Sequence, residues 1–125
     1  MARLKEELLE RTEAISHRVC DVVDSIEAMG KSRRIVDQLY GSGTSIGANA
    51  FETSEALSRP DFCRGIGVIL KELAEIRFWL RFVRARGWVK ADRLAALQQE
   101  LTELRLVCGA ILARSRRKAK SLQKL

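Results

Sequence analysis

Residues 60–87 carry the clearest structural pattern in the chain and read PDFCRGIGVILKELAEIRFWLRFVRARG. Apolar residues recur in this stretch at intervals of three and four, which places their side chains along one side of an α-helix. They are Ile66, Ile69, Leu70, Leu73, Ile76, Leu80 and Val83. Proline needs no N–H partner in a first helical turn, and a carboxylate is favoured there by the helix dipole. We therefore expect one long helix that opens at Pro60 and Asp61 and closes near Gly87.

Two other segments show the same spacing. The first joins Leu8, Thr12, Ile15, Val19, Val22, Ile26 and Met29, and Gly30 then follows as a helix-ending glycine. The fourth joins Leu94, Leu97, Leu101, Leu104, Cys108 and Ile111. With the second segment, the predicted helices span about residues 3–29, 32–57, 60–86 and 91–117, and a basic C-terminal tail occupies residues 114–125.

The second segment contains three glycines, each of which costs ~1 kcal/mol relative to alanine inside a helix. The helical spacing nevertheless continues across them, through Ile35, Leu39, Ser42, Ile46, Asn49 and Thr53. We interpret the segment as a continuous helix in which Gly43, Gly47 and Ala50 form a ridge of small residues that a neighbouring backbone can approach closely. A kink near residues 41–44 is the alternative.

The connections between the predicted helices are very short, so consecutive helices should be antiparallel neighbours. The 125 residues are 46% hydrophobic and 31% charged, which suits one packed core and one domain over residues 1–125. The predicted fold class is all-α, an antiparallel up-down-up-down four-helix bundle.

Cysteine usage and hydropathy exclude several classes. Cys20, Cys63 and Cys108 are widely spaced without a C-x-x-C pair, so neither a disulfide framework nor a zinc ribbon is indicated. The N-terminal residues are charged where a signal peptide needs an apolar region, and no apolar run approaches the ~18 residues of a membrane span. We expect a cytoplasmic protein without a membrane partner.

Five polar residues are expected at or near the bundle interior: Ser45, Asn49, Glu52, Glu72 and Glu75. Bundles that bind metal through carboxylates use Glu-x-x-His motifs, and the single histidine, His17, belongs to none. The glycine-rich stretch at 41–45 lacks the Gly-Lys-Ser/Thr ending of a phosphate-binding loop. We interpret the five residues as a structural polar layer and predict no catalytic residue, no metal and no cofactor.

Basic residues outnumber acidic ones by 23 to 16, which gives a net charge of +7. Residues 1–30 carry a net −3, whereas residues 59–90 and 91–125 carry +5 each. Two groups concentrate the excess: Arg77, Arg81 and Arg84 on the third helix, and Arg114, Arg116, Arg117, Lys118 and Lys120 at the end of the fourth. We predict that they bind the phosphates of RNA or DNA without reading sequence. The alternatives are intersubunit salt bridges to Glu6, Glu10 and Glu13 and a solvated tail.

Three aromatic residues widen the apolar surface of the third helix beyond the single stripe that a lone bundle needs. Phe78, Trp79 and Phe82 surround the stripe, and this surplus favours a subunit interface. A wider core is the alternative.

Two motifs together resemble a known family. The first is SIGAN at residues 45–49 followed by Glu52, and the second is KELAEIRFWL at 71–80, with Asp61 and Phe62 before it. They resemble the four-helix bundle proteins encoded in ribosomal-RNA intervening sequences. The same superfamily includes the accessory variability determinants of diversity-generating retroelements, to which the run at 77–82 and the basic tail are similar. Gly47 stands where many relatives have proline.

The resemblance implies a homopentameric ring. For the retroelement branch it also implies nucleic-acid binding together with a reverse transcriptase. Our hypothesis is a non-enzymatic, homo-oligomeric, nucleic-acid-binding accessory protein. The alternative is a protein-interaction scaffold of the intervening-sequence family whose basic charge is incidental.

Overall fold

A computed structural model describes residues 3–123. These residues form four helices and no strand: α1 Glu6–Ala28, α2 Arg33–Ser54, α3 Arg59–Ala85 and α4 Ala91–Gln123. Each helix packs against the next, and α4 packs back against α1, whereas the diagonal pairs make no contact. The predicted all-α four-helix bundle is confirmed.

The helix ends follow from local chemistry. Gly30 and Gly87 have φ of +68° and +75°, the left-handed conformation that glycine adopts without steric cost. At the start of α3, the N–H of Asp61 donates to the hydroxyl of Ser58 at 3.2 Å, with Pro60 in the first turn. These ends turn the chain sharply, so each helix returns beside the previous one.

Two boundary predictions are wrong. Helix α4 runs to Gln123 instead of ending near 117, because residues 114–123 contain no glycine or proline and are rich in good helix formers. Met29, assigned to the buried stripe, is 47% exposed because α1 ends at Ala28, one residue before it. Within α4, Leu112 is buried where the prediction placed Ile111, which is half-buried.

Large aliphatic side chains from all four helices fill the core. Ile15, Leu39, Ile76 and Leu94 are completely inaccessible to solvent. Within residues 3–123, no helix combines the length and the hydropathy that crossing a membrane requires.

Small residues bring α1 and α2 into close contact. A Cβ atom on Gly43 would lie 2.5 Å from Val19 Cγ1 and 2.9 Å from Val19 Cβ. The Ser16 hydroxyl donates to the Gly43 carbonyl at 2.7 Å and accepts from the Gly47 N–H at 3.1 Å. Helix α2 continues through its glycines, and the predicted small-residue ridge is confirmed. Gly65 plays the same part between α2 and α3, where a Cβ would collide with the Thr53 side chain.

Candidate functional site

One end of the bundle collects cations from three helices. The up-down topology brings together the start of α1, the end of α2, the start of α3 and the end of α4. Residues 3–7, 55–64 and 114–123 carry nine basic and four acidic side chains, a net charge of +5. We call these three segments the basic end. The predicted cations at 114–120 are thus joined by others far away in sequence, among them Arg3, Lys5 and Arg59.

A groove of about 620 Å³ lies between α1 and α4 at the basic end. Aliphatic and aromatic residues form its floor, with Leu4 and Leu8 from the start of the chain, Phe62 from α3, and Val107 and Ile111 from α4. Basic residues dominate its rim. They are Arg3, Lys5, Arg11, Arg59, Arg114 and Lys118, and Glu7 is the single acidic residue that lines the groove.

Two of these rim cations already have carboxylate partners. Arg11 Nε lies 2.8 Å from Glu100 Oε1, and this hydrogen bond holds the pKa of the Glu100 carboxyl below its usual value. Arg3 pairs with Glu55 at 3.6 Å. Among the described residues, the other four rim cations form no ion pair, so their charge faces the groove and solvent uncompensated. They are Lys5, Arg59, Arg114 and Lys118.

The structure divides the predicted nucleic-acid-binding residues among three surfaces. Arg114 and Lys118 line the groove, whereas the neighbouring cations of the same helix are exposed outside it: Arg116, Arg117 and Lys120. The α3 group, Arg77, Arg81 and Arg84, is also exposed but lies far from the basic end. Arg77 is 18 residues beyond Arg59 along α3, or about 27 Å at 1.5 Å per residue. Within the described chain, none of these eight residues pairs with a carboxylate.

The predicted polar layer lies at the outer edge of the seam between α2 and α3. Ser45, Asn49, Glu72 and Glu75 are half-buried, and Glu52 is exposed, so its assignment to the interior is wrong. The buried stripe of α2 is centred on other positions, and Glu52 projects to the opposite side. Asn49 Nδ2 donates to the Ser45 carbonyl at 2.9 Å, and Trp79 Nε1 donates to Glu75 at 3.3 Å. Both bonds stay within one helix.

Burial raises the pKa of the Glu72 carboxyl, the adjacent Glu75 raises it further, and the Ser42 hydroxyl acts in the opposite direction. A raised carboxyl pKa means that the folded state disfavours the charged form. We expect Glu72→Gln to increase the free energy of unfolding at pH 7 by a few tenths of a kcal/mol. The gain should shrink toward pH 4, where the wild-type carboxyl becomes protonated.

Urea unfolding at the two pH values measures this difference, with the exposed Glu52→Gln as the matched control that leaves stability unchanged. A Glu72→Gln protein that is less stable at pH 7 would show that the carboxylate stabilises the bundle.

The three predicted interface aromatics form one cluster with a fourth, Trp88. Ring centroids are 5.1 Å apart for Phe78 and Trp79, and 5.9 Å apart for both Trp79–Phe82 and Phe82–Trp88. Phe78 is 57% exposed, whereas the other three rings are half-buried against the core. Lys31 lies over the Trp88 ring at 5.2 Å. We call these four rings the aromatic patch, since they present an apolar surface at the side of α3. Trp88 was missed because it follows the helix in the sequence.

The remaining nucleophilic and metal-binding side chains are dispersed. Burial raises the pKa of the Cys108 thiol to about 11, so this cysteine is protonated at neutral pH. Within residues 3–123, no three His, Cys, Asp or Glu side chains are placed to share a metal ion. The most concentrated chemistry of the described chain is therefore cationic.

Fold and surface together define a small four-helix bundle protein with a cationic end and an exposed aromatic patch. The family model for the 23S rRNA-intervening sequence protein matches residues 5–109, and the chain belongs to this family. A solved crystal structure is similar over 84% of this chain and 97% of its own, with 25% identity and a TM-score of 0.80. It is a protein of unknown function from the S23 ribosomal protein family of Bacteroides thetaiotaomicron VPI-5482. No curated protein matches the chain.

Proposed function

We propose that this protein is a non-enzymatic, homo-oligomeric accessory protein that binds nucleic acid through its basic end. The observation that carries the proposal is the convergence of nine basic side chains from three chain segments at one end of the bundle. Five of them lie within the last turns of α4, where no acidic residue follows Glu103. A polyanion can therefore approach this end without meeting a compensating row of carboxylates.

The chemistry of these cations suits a phosphate backbone. Arginine forks match phosphate oxygens in a bidentate geometry, and the long side chains adapt to an irregular strand. Sequence readout requires groups that contact base edges, and the basic end offers mainly Arg and Lys. Binding should therefore tolerate any sequence and weaken steeply with salt. The family description refers to 23S rRNA, which makes single-stranded RNA the first ligand to test.

The charge of the protomer supports homo-oligomerisation. Helix α1 carries a net −5, whereas α3 and α4 carry +3 and +4 on the opposite edge of the bundle. Both edges expose large apolar side chains, with Tyr40 50% and Phe51 45% exposed on α2 and Phe78 on α3. Opposite charges on opposite edges favour head-to-tail contacts, which close into a ring when the rotation between subunits permits. Resemblance to the superfamily sets the proposed number at five.

The finer part of the proposal concerns the partner. Similarity to the retroelement accessory branch suggests that the complex acts together with a reverse transcriptase. The basic α4 end and the arginines on α3 support this branch. A protein that recovered a defined partner without nucleic acid would instead fit an interaction scaffold.

The test is fluorescence anisotropy of the full chain with single-stranded RNA and DNA of about 20 nucleotides, titrated between about 50 and 200 mM salt. We expect binding in which log Kd changes linearly with log salt, by about 0.7 for each phosphate contact. Absence of binding at the lowest salt, or binding that salt does not weaken, would overturn the proposal.

A further inference from the structure

We propose that the groove between α1 and α4, together with the apolar stripe at the end of α4, binds an acidic amphipathic helix of a partner protein. This inference goes beyond nucleic-acid binding, because it concerns a different surface of α4 and a different class of ligand. The argument rests on the floor of the groove, on the length of the apolar stripe and on the unpaired cations of the rim.

The floor of the groove suits aliphatic side chains. Val107 and Ile111 are half-buried and present aliphatic surface to solvent. Phe62 is 1% exposed, so its ring offers no face on which a nucleotide base can stack. A strand of nucleic acid would cover this floor with its polar backbone and gain nothing from its apolar surface. Leucine or isoleucine side chains would bury it.

The apolar surface continues past the groove along α4. Leu112, Ser115, Ala119 and Leu122 follow the helical spacing of three and four residues. Leu112 and Ser115 are buried, Ala119 is half-buried and Leu122 is 52% exposed, so the stripe emerges from the bundle. From Val107 to Leu122 the surface is about 22 Å long, which equals four turns of a docked helix. A compact small molecule would leave the outer half uncovered.

The rim selects an acidic partner. Arg114 and Lys118 stand one helical turn apart on α4, and Lys5 and Arg59 extend the unpaired charge to the other helices of the groove. Carboxylates spaced at i, i+4 on a docked helix match one turn of Arg and Lys on α4. A fatty acid brings one carboxylate to four cations, whereas an acidic helix brings several. An amphipathic helix in a hydrophobic groove is a recurrent mode of recognition.

The probe is a labelled synthetic peptide of about 15 residues, with leucines on one helical face and glutamates flanking them. Anisotropy is measured with the full-length protein. The comparison ligands are a scrambled peptide of identical composition, single-stranded RNA and laurate. We expect the amphipathic peptide to bind at least about tenfold more tightly than the scrambled one. Equal binding of the two peptides, or displacement of the peptide by laurate at equal concentration, would overturn the proposal.

Two variants separate this surface from the proposed nucleic-acid site. Ala110→Trp fills the groove at an exposed position and changes no charge, and it should weaken peptide binding at least about tenfold while RNA binding stays within twofold. Arg114→Glu with Lys118→Glu should weaken peptide binding as much, and Lys90→Glu with Arg93→Glu at the far end of α4 is the charge-matched control. Unchanged peptide binding in Ala110→Trp would overturn the proposal. Loss of self-association in that variant would also overturn it, because a second copy would then occupy the groove.

Discussion

Replacing Gly43 with alanine is expected to lower the free energy of unfolding by about 2 kcal/mol, although alanine is the better helix former. The new methyl group would lie 2.9 Å from Val19 Cβ, an atom fixed to the backbone of α1. It cannot rotate away, so the two helices must separate. Separation would also disturb the Ser16 hydroxyl, which bridges Gly43 and Gly47.

The matched control is Gly41→Ala, two residues earlier on the same helix. A Cβ at Gly41 meets no atom within 4 Å, so the substitution should raise stability by up to about 1 kcal/mol. Urea unfolding followed by far-UV circular dichroism measures both. If the two variants gained stability equally, the close packing of α1 on α2 would be contradicted.

Reversing three cations at the end of α4 should lower the affinity for single-stranded RNA by about 100-fold at 50 mM salt. The variant is Arg116→Glu with Arg117→Glu and Lys120→Glu, all exposed on α4 outside the groove. Each lost phosphate contact also removes its released counterions, so the slope of log Kd against log salt should fall by about 2. Helicity should be unchanged because none of the three side chains packs in the core.

A charge-matched variant at the opposite end of the bundle distinguishes a local site from net charge. Arg34→Glu with Lys90→Glu and Arg93→Glu changes the total charge by the same amount. We expect its affinity for RNA to remain within about fivefold of the wild type, as long-range interactions are screened by salt. Equal losses in both variants would show that the basic end has no special role.

The helices and their arrangement were predictable because they depend on local information. Helical spacing identifies each buried stripe, and glycines with positive φ end two of the helices, as at Gly30 and Gly87. The small-residue ridge on α2 was predictable for the same reason, since Gly43 and Gly47 recur one turn apart. Gly65 has no such pattern around it, and its close contact with Thr53 depends on the register between α2 and α3.

The site was less predictable because it is assembled from distant segments. The sequence shows the cations of α4, but Arg3, Lys5 and Arg59 join them only once the topology has brought three helix ends together. The groove likewise depends on the open seam between the first and last helices. Glu52 was misplaced because its motif suggests an interior role, whereas the helical phase of α2 places it in solvent. Propensity alone indicated that α4 continues through its basic residues.

Size-exclusion chromatography with light scattering, with and without a short RNA at low and high salt, tests the central claim most directly. We predict a particle of five times 14.1 kDa that retains RNA at low salt and releases it at high salt. Phe78→Glu should reduce the mass of this particle, because Phe78 is the most exposed ring of the aromatic patch. A monomer of 14.1 kDa that retains no RNA at either salt would contradict the account.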